Sequence, residues 1–453
     1  MAKAAPKPKK TVSEANLATL GAERLAGLLI EFATGDAALK RRLRMELSAE
    51  VGAGDLALEL DKRLVSLAES RAKVSWRKRP GLLTELRAIR RVILERLAPL
   101  DTRLALDRLV AWFDLYVPLR TRVSDPKGEM TLMFDEASSD LAMLASEAGV
   151  DVAGPVLGEA LSTRLSEWAS WVGRGASDLS PELARRLLHD LTAGRPRPTG
   201  RAALLVRKLA DRSGDLDAWL TAVPDDDRAK PEVGSEIARR LAAAGRPEEA
   251  RAALVAARPT APTSRWSRKE AAPEPPPEAW LRAEIAVLLA EGRKDEADEA
   301  RWRLFATTLS PELVREIIAG LADFDDVEAL DRAFGVAAGH PDVMRGLGFL
   351  MNWPALREAA ELVLSRRDEL RGAVEDVPPW SGRLAARYPE AALLLVRARA
   401  RALARLGNGM DDELRTVLSE AEGLAANADV EPSHAVFAEE IDGLISRKRP
   451  VWR

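Results

Sequence analysis

The chain has no cysteine. Disulfides, thiolate zinc sites, iron–sulfur clusters and cysteine nucleophiles are therefore excluded. This fits a reducing compartment, and a cytoplasmic location is expected. Histidine is scarce, with 3 in 453 residues. His189, His340 and His434 lie far apart in sequence, so a shared metal site would need the fold to gather them. Surface or capping roles are the simpler expectation, and no metal and no cofactor are expected. Aromatics make up only 5%. Alternating β patterns are missing and β-branched runs are nearly so, which removes the signal for sheet. No apolar run is long enough to cross a bilayer, so no membrane partner is expected. The start, MAKAAPKPKK, is basic and carries prolines with no apolar core behind it. It does not read as a secretory signal, and residues 1–12 read as a disordered basic tail. The phosphate-binding glycine loop, the His-Glu-x-x-His zinc motif, the Gly-x-Ser-x-Gly elbow and the dinucleotide glycine fingerprint are all absent. No enzyme is expected.

What remains is rich in alanine, leucine, arginine and glutamate, the strong helix formers. The fold class is all-α. One short pattern occurs twice: Gly245-Arg246-Pro247-Glu248-Glu249-Ala250 and Gly292-Arg293-Lys294-Asp295-Glu296-Ala297. Each copy has an apolar helix before it and another after. Glycine closes a helix in the left-handed conformation at little steric cost. The acidic pair then falls in the first turn of the next helix, facing the positive end of its dipole. Ala250 and Ala297 are small enough for two antiparallel helices to approach closely. This is the corner of a helical hairpin. Hairpins that cover one another's apolar faces build stacked arrays, so a tetratricopeptide-like α-solenoid is expected in the C-terminal half.

Helical pattern starts near Ser13, and Asp36 can cap a second helix. Further helices are expected over 55–70, from Pro80, from Asp101 to Val117-Pro118, over 129–148, and from Pro155 through Trp168 and Trp171. Ser180-Pro181-Glu182-Leu183 is a clean helix start, repeated at Ser310-Pro311-Glu312-Leu313. An N-terminal helical domain over 13–223 and a C-terminal one over 232–453 are expected, with the acidic stretch Pro224 to Pro231 between them. Pro259 to Pro277 holds six prolines with Arg265, Arg268 and Lys269. It reads as a linker inserted into the hairpin array. Helices are then expected over 279–291, 294–308, 311–321 and 325–338. Later ones start near Pro354, Pro389 and Asp411, the last running to about Arg447.

Residues 1–120 hold 23 Lys+Arg against 15 Asp+Glu, or +8; the rest holds 45 against 56, or −11, giving the net −3. The basic run Lys73 to Arg91 is the best candidate for a polyanion surface, through Trp76, Lys78, Arg79, Arg87, Arg90 and Arg91. The excess is modest for a nucleic-acid domain, and charged helix faces are usually just solvated. Asp323, Asp325, Asp326 and Glu328 lack the glycine and spacing of a calcium loop and read as a helix N-terminus. Trp302, Arg303, Trp353 and Trp452 are candidate partner-binding residues. Tryptophans such as Trp302, Trp353 and Trp380 more often belong to a core than line a groove, and docking onto the last helices is the favoured reading for Trp452.

Several stretches resemble one family: Leu20-Gly21-Ala22-Glu23-Arg24-Leu25-Ala26, Leu39-Lys40-Arg41-Arg42-Leu43-Arg44, Glu291-Gly292-Arg293 with Glu296-Ala297, Arg301-Trp302, Asp323 to Ala329, Trp353-Pro354, Tyr388-Pro389 and Arg447-Lys448. It is a family of bacterial all-helical proteins catalogued as a domain of unknown function. The family usually ends on His, Arg, Lys and then Phe-Trp; here Ser446 precedes Arg447 and Val451 precedes Trp452. The resemblance implies the fold and no chemistry. A non-enzymatic scaffold that binds a protein or peptide is the leading expectation. A nucleic-acid-associated protein using the basic N-terminal helices is the alternative.

Overall fold

The computed structural model describes residues 11–259, 276–321, 325–371, 375–406 and 411–446. Residues 1–10, most of the proline-rich stretch (260–275), Asp323 and Trp452 lie outside the described residues. The chain divides into two compact units, Met1–Asp225 and Asp226–Arg453. Among the described residues the protein is all-helical, without a strand; one isolated bridge joins Val74 to Val123.

The first unit contains α1 (Glu14–Ala18), α2 (Ala22–Gly35), α3 (Ala37–Val51), α4 (Ala53–Glu69), α5 (Arg79–Val92), α6 (Thr102–Asp114) and α7 (Tyr116–Arg122). It continues with α8 (Glu129–Glu136), α9 (Ser138–Ala148), α10 (Val150–Thr163), α11 (Leu165–Arg174), α12 (Pro181–Thr192), α13 (Gly200–Ser213) and α14 (Leu216–Thr221). A π-helical turn, Ile93–Leu97, extends α5. The core centres on an aromatic cluster. Trp112 and Phe134 lie 4.3 Å apart between ring centres, and Phe113 and Trp171 4.9 Å apart. The Trp168 indole donates to Asp114 Oδ1 at 3.1 Å and the Trp112 indole to the Leu86 carbonyl at 3.0 Å.

A short helix, α15 (Asp225–Arg228), spans the boundary between the two units. The second unit contains α16 (Pro231–Ala243), α17 (Pro247–Ala256), α18 (Glu278–Ala290), α19 (Lys294–Thr308), α20 (Pro311–Ala319), α21 (Asp325–Ala338) and α22 (Val343–Asn352). It ends with α23 (Leu356–Ser365), α24 (Val377–Ala385), α25 (Pro389–Leu406), α26 (Asp411–Ala425) and α27 (His434–Ser446). Gly245 and Gly292 are left-handed, with φ +71° and +78°. The amide after each reaches back across the turn: Arg246 N–H donates to Leu241 O at 2.9 Å, and Arg293 N–H to Leu288 O at 2.9 Å. This pairing satisfies carbonyls that a helix end otherwise leaves open. The spacing shared by the two copies of the motif also has a use. Arg246 Nε donates to Glu249 Oε1 at 2.7 Å, and Arg293 Nε to Glu296 Oε1 at 2.7 Å. Ala250 and Ala297 are completely buried. The α16 helix touches both α17 and α18, and α18 touches α19.

Several sequence expectations need correction. Pro155 does not open a helix; it lies inside α10, and the tryptophans sit on the separate α11 after a break at Arg164. The stretch 129–148 is two helices, broken at Ala137. The helix capped by Asp101 ends at Asp114, and Pro118 belongs to α7. None of these breaks carries a local glycine signal. The capping expectations at Ser180 and Ser310 hold: each hydroxyl accepts from the amide three residues on, at 3.2 and 3.3 Å.

Arginines recur at the carbonyl ends of neighbouring helices. Arg122 Nη2 donates to Leu67 O at 2.7 Å, Arg366 Nη1 to Ala338 O at 3.1 Å, and Arg383 Nη1 to Met351 O at 2.7 Å. A helix C-terminus leaves carbonyls unpaired and carries the negative end of the dipole, so a guanidinium fork suits it.

Candidate partner-binding grooves of the C-terminal unit

Two of the partner-binding candidates, Trp302 and Arg303, lie on α19, which separates them. Trp302 and Arg303 are adjacent on this helix, so their side chains leave it in different directions. Trp302 faces a groove of about 560 Å³ built by α19, α20 and α21. Arg303 faces a second groove of about 560 Å³ built by α17, α18 and α19.

Trp302 is nearly buried and forms the floor of the first groove. It begins a row of rings that ties α19 to α22. Trp302 and Phe305 are 5.9 Å apart between centres, Phe305 and Phe349 5.1 Å, and Phe349 and Trp353 5.9 Å. The Arg332 guanidinium lies 4.4 Å from the Trp302 ring centre, and that of Arg315 5.3 Å from the Trp353 ring centre. Arg332 is itself fixed by Glu299 through two bonds, at 3.0 and 3.2 Å. That bond holds the Glu299 carboxyl below its ordinary value. Trp353 is half-buried at the end of α22, and Trp380 is buried.

The rest of the lining carries four carboxylates, Asp298, Glu316, Asp325 and Glu328, a second cation, Arg301, and apolar side chains of α20 and α21. Asp298 pairs with Arg301. Among the described residues, no ion pair reaches Glu316, Asp325 or Glu328. Asp325 and Glu328 sit in the first turn of α21, where a negative charge is favourable. Glu316 has no such benefit. It is exposed near the C-terminal end of α20, and Glu312 lies one turn before it. A carboxylate there opposes the helix dipole and a like charge at i−4. Glu316 thus sits where it costs stability, on the rim of a groove. Sequence reasoning missed it, although Glu312-Leu-Val-Arg-Glu316 just before Gly320 carried the signal.

The second groove is lined by Arg251, Arg258, Arg303 and Glu284 around Trp280. Its cations are largely committed. Arg303 Nη2 pairs with Glu284 at 2.9 Å, and Arg251 Nε with Glu291 at 2.8 Å. Hydrogen bonding by Arg251 holds the Glu291 carboxyl below its ordinary value. The Trp280 indole donates to Leu254 O at 3.1 Å.

Burial divides the candidate polyanion residues. Trp76 is exposed, with the Arg77 guanidinium 5.0 Å from its ring centre, and Lys78 is exposed beside it. Arg79 must be withdrawn from the set. It is buried, donating to Ser124 O at 3.0 Å and pairing with Glu129 at 3.1 Å, so it braces the loop before α8. Arg90 is half-buried, with Asp140 at 3.3 Å and Met133 O at 3.4 Å. Arg91 is exposed with Glu95 at 3.8 Å, and Arg87 is exposed. Among the described residues, no group of three or more His, Asp or Glu is placed to hold a metal ion, and no helix is long and apolar enough to cross a membrane.

The model of a family of unknown function, DUF6880, matches residues 7–191 and 154–453. The chain belongs to that family. The second match contains both grooves of α19, and the two matches overlap at 154–191. No curated protein and no solved structure matches the chain. DUF6880 is described as of unknown function, so membership assigns no chemistry to either groove.

Proposed function

We propose that the protein is a non-enzymatic helical-repeat scaffold, and that its C-terminal unit holds a basic segment of a partner protein in the groove floored by Trp302. The observation that carries this reading is Glu316, a carboxylate whose position burdens its own helix. Residues kept at a cost to stability are characteristic of binding surfaces. With Glu328 and Asp325 it offers acceptors for lysine or arginine, and the tryptophan supplies an apolar and aromatic floor. The stacking of α16, α17, α18 and α19 supports a tetratricopeptide-like array, whose usual ligands are extended or helical peptides. This last step is analogy from architecture. Trp353 ends the row of rings that begins at Trp302 and serves as a secondary contact, while Arg303, turned to the second groove and paired with Glu284, lies outside this groove.

Selection from a random peptide display library tests the proposal. Lysine- and arginine-rich peptides are expected, with binding at least tenfold weaker to Glu316→Lys. Peptides without basic enrichment, or equal binding to Glu316→Lys, overturn it. The nucleic-acid alternative keeps one specific support, the exposed Trp76-Arg77-Lys78 corner. It requires copurifying polyanion that is lost as salt rises and reduced by substitution of Trp76 and Lys78.

A further inference from the structure

The α2 helix is short of neighbours for its composition. Of its 14 residues only Ala33 is buried. Leu25 and Leu28 are half-buried, while Leu29 is 43% and Phe32 64% exposed. A helix this apolar is normally covered. Leu25, Leu28 and Phe32 fall at the 3–4 spacing of a coiled-coil seam. Arg24 and Glu31, seven residues apart, share one flank of that seam. Both are exposed, and neither has an ion pair among the described residues.

We propose that α2 is a self-association surface, on which two copies of this chain pair antiparallel about a two-fold axis. Setting Leu25 against Leu28 of the other copy brings Arg24 opposite Glu31 of that copy. The two-fold repeats both contacts in reverse, so the surface is complementary to itself, as an isologous interface requires. This reciprocity selects a second copy as the occupant. A parallel pairing would set the Arg24/Glu31 flank against Leu29 and leave both charges without partners.

Sedimentation velocity of the full chain over about a hundredfold range of concentration tests the pairing, since dimer population follows mass action. Wild type is expected to shift from monomer toward dimer. Glu31→Arg sets like charges opposite at two symmetric places and is expected to weaken the dimer about tenfold. The double variant Arg24→Glu/Glu31→Arg restores opposite signs and should dimerise like wild type. Both residues are exposed, so thermal melts should show all three chains equally folded. A wild-type chain that stays monomeric overturns the proposal. So does a dimer indifferent to Glu31→Arg, or one that the double exchange fails to restore.

Discussion

Replacing Gly292 by alanine separates a helix corner from a helix interior by the sign of its effect. Gly292 has φ +78°, and a Cβ built there meets no atom within 4 Å. Crowding contributes nothing, so the change reports backbone conformation alone. Holding an L-residue in the left-handed region costs about 1–2 kcal/mol. Gly335 is the control: it is exposed inside α21, one turn from its end, and a Cβ built there also meets nothing within 4 Å. There, alanine gains about 0.8–1 kcal/mol from helix propensity. For a unit of this size each kcal/mol moves the melting temperature by about 2–4 °C. Differential scanning calorimetry should show Gly292→Ala melting about 2–8 °C lower, and Gly335→Ala about 2–4 °C higher. If Gly292→Ala also rises, the chain passes through Gly292 as continuous helix and the hairpin reading is wrong.

Three further outcomes are expected. Glu316→Lys should melt no lower than wild type, because it removes a charge opposed to the α20 dipole; a clear drop in melting temperature would show that Glu316 has a structural role. Glu85 is half-buried between Arg63 at 2.7 Å and Arg41 at 3.1 Å. Burial raises its carboxyl, but the bonds and charges of Arg63 and Arg41 outweigh this and hold it below 4.5. A carboxyl lowered by folding gives stability that is complete above its unfolded value and lost as pH falls through the folded one. On acidification below 4.5, wild type should therefore lose more stability than Glu85→Gln, measured as urea midpoint against pH; parallel curves refute the pairing. Arg397 is 1% exposed, donates to Val430 O at 3.3 Å, lies 5.1 Å from the Phe437 ring centre and has a buried Nε without a partner. Arg397→Met keeps the packing and removes the buried charge, so stability should hold or rise, whereas Arg397→Ala should cost about 2–4 kcal/mol. Equal losses in urea denaturation would mean the guanidinium contributes more than its stem.

The legible parts of the fold were those decided within a few residues. Gly245 and Gly292 require left-handed turns, and the hydroxyls of Ser180 and Ser310 cap from the same position, so the sequence alone locates them. The breaks at Ala137 and Arg164 fall where the sequence has no glycine or proline, so no local residue marks them. Proline misled as well: Pro155 sits inside α10, a helix that packs against α9, α11 and α12. The basic stretch around Arg79 looked uniform in sequence. Burial then divided it, since Arg79 meets a loop 45 residues away. For the candidate site, Trp302 and Trp353 were visible as unusual residues. The groove between α19, α20 and α21 was not, because its carboxylates come from three helices.

Amide hydrogen exchange, with and without an arginine- and lysine-rich peptide, tests the groove most directly. Slowed exchange confined to 294–321 and 325–332, and absent in Glu316→Lys, is the expected result. Protection elsewhere, or the same protection in Glu316→Lys, would contradict a Trp302 groove that receives basic segments.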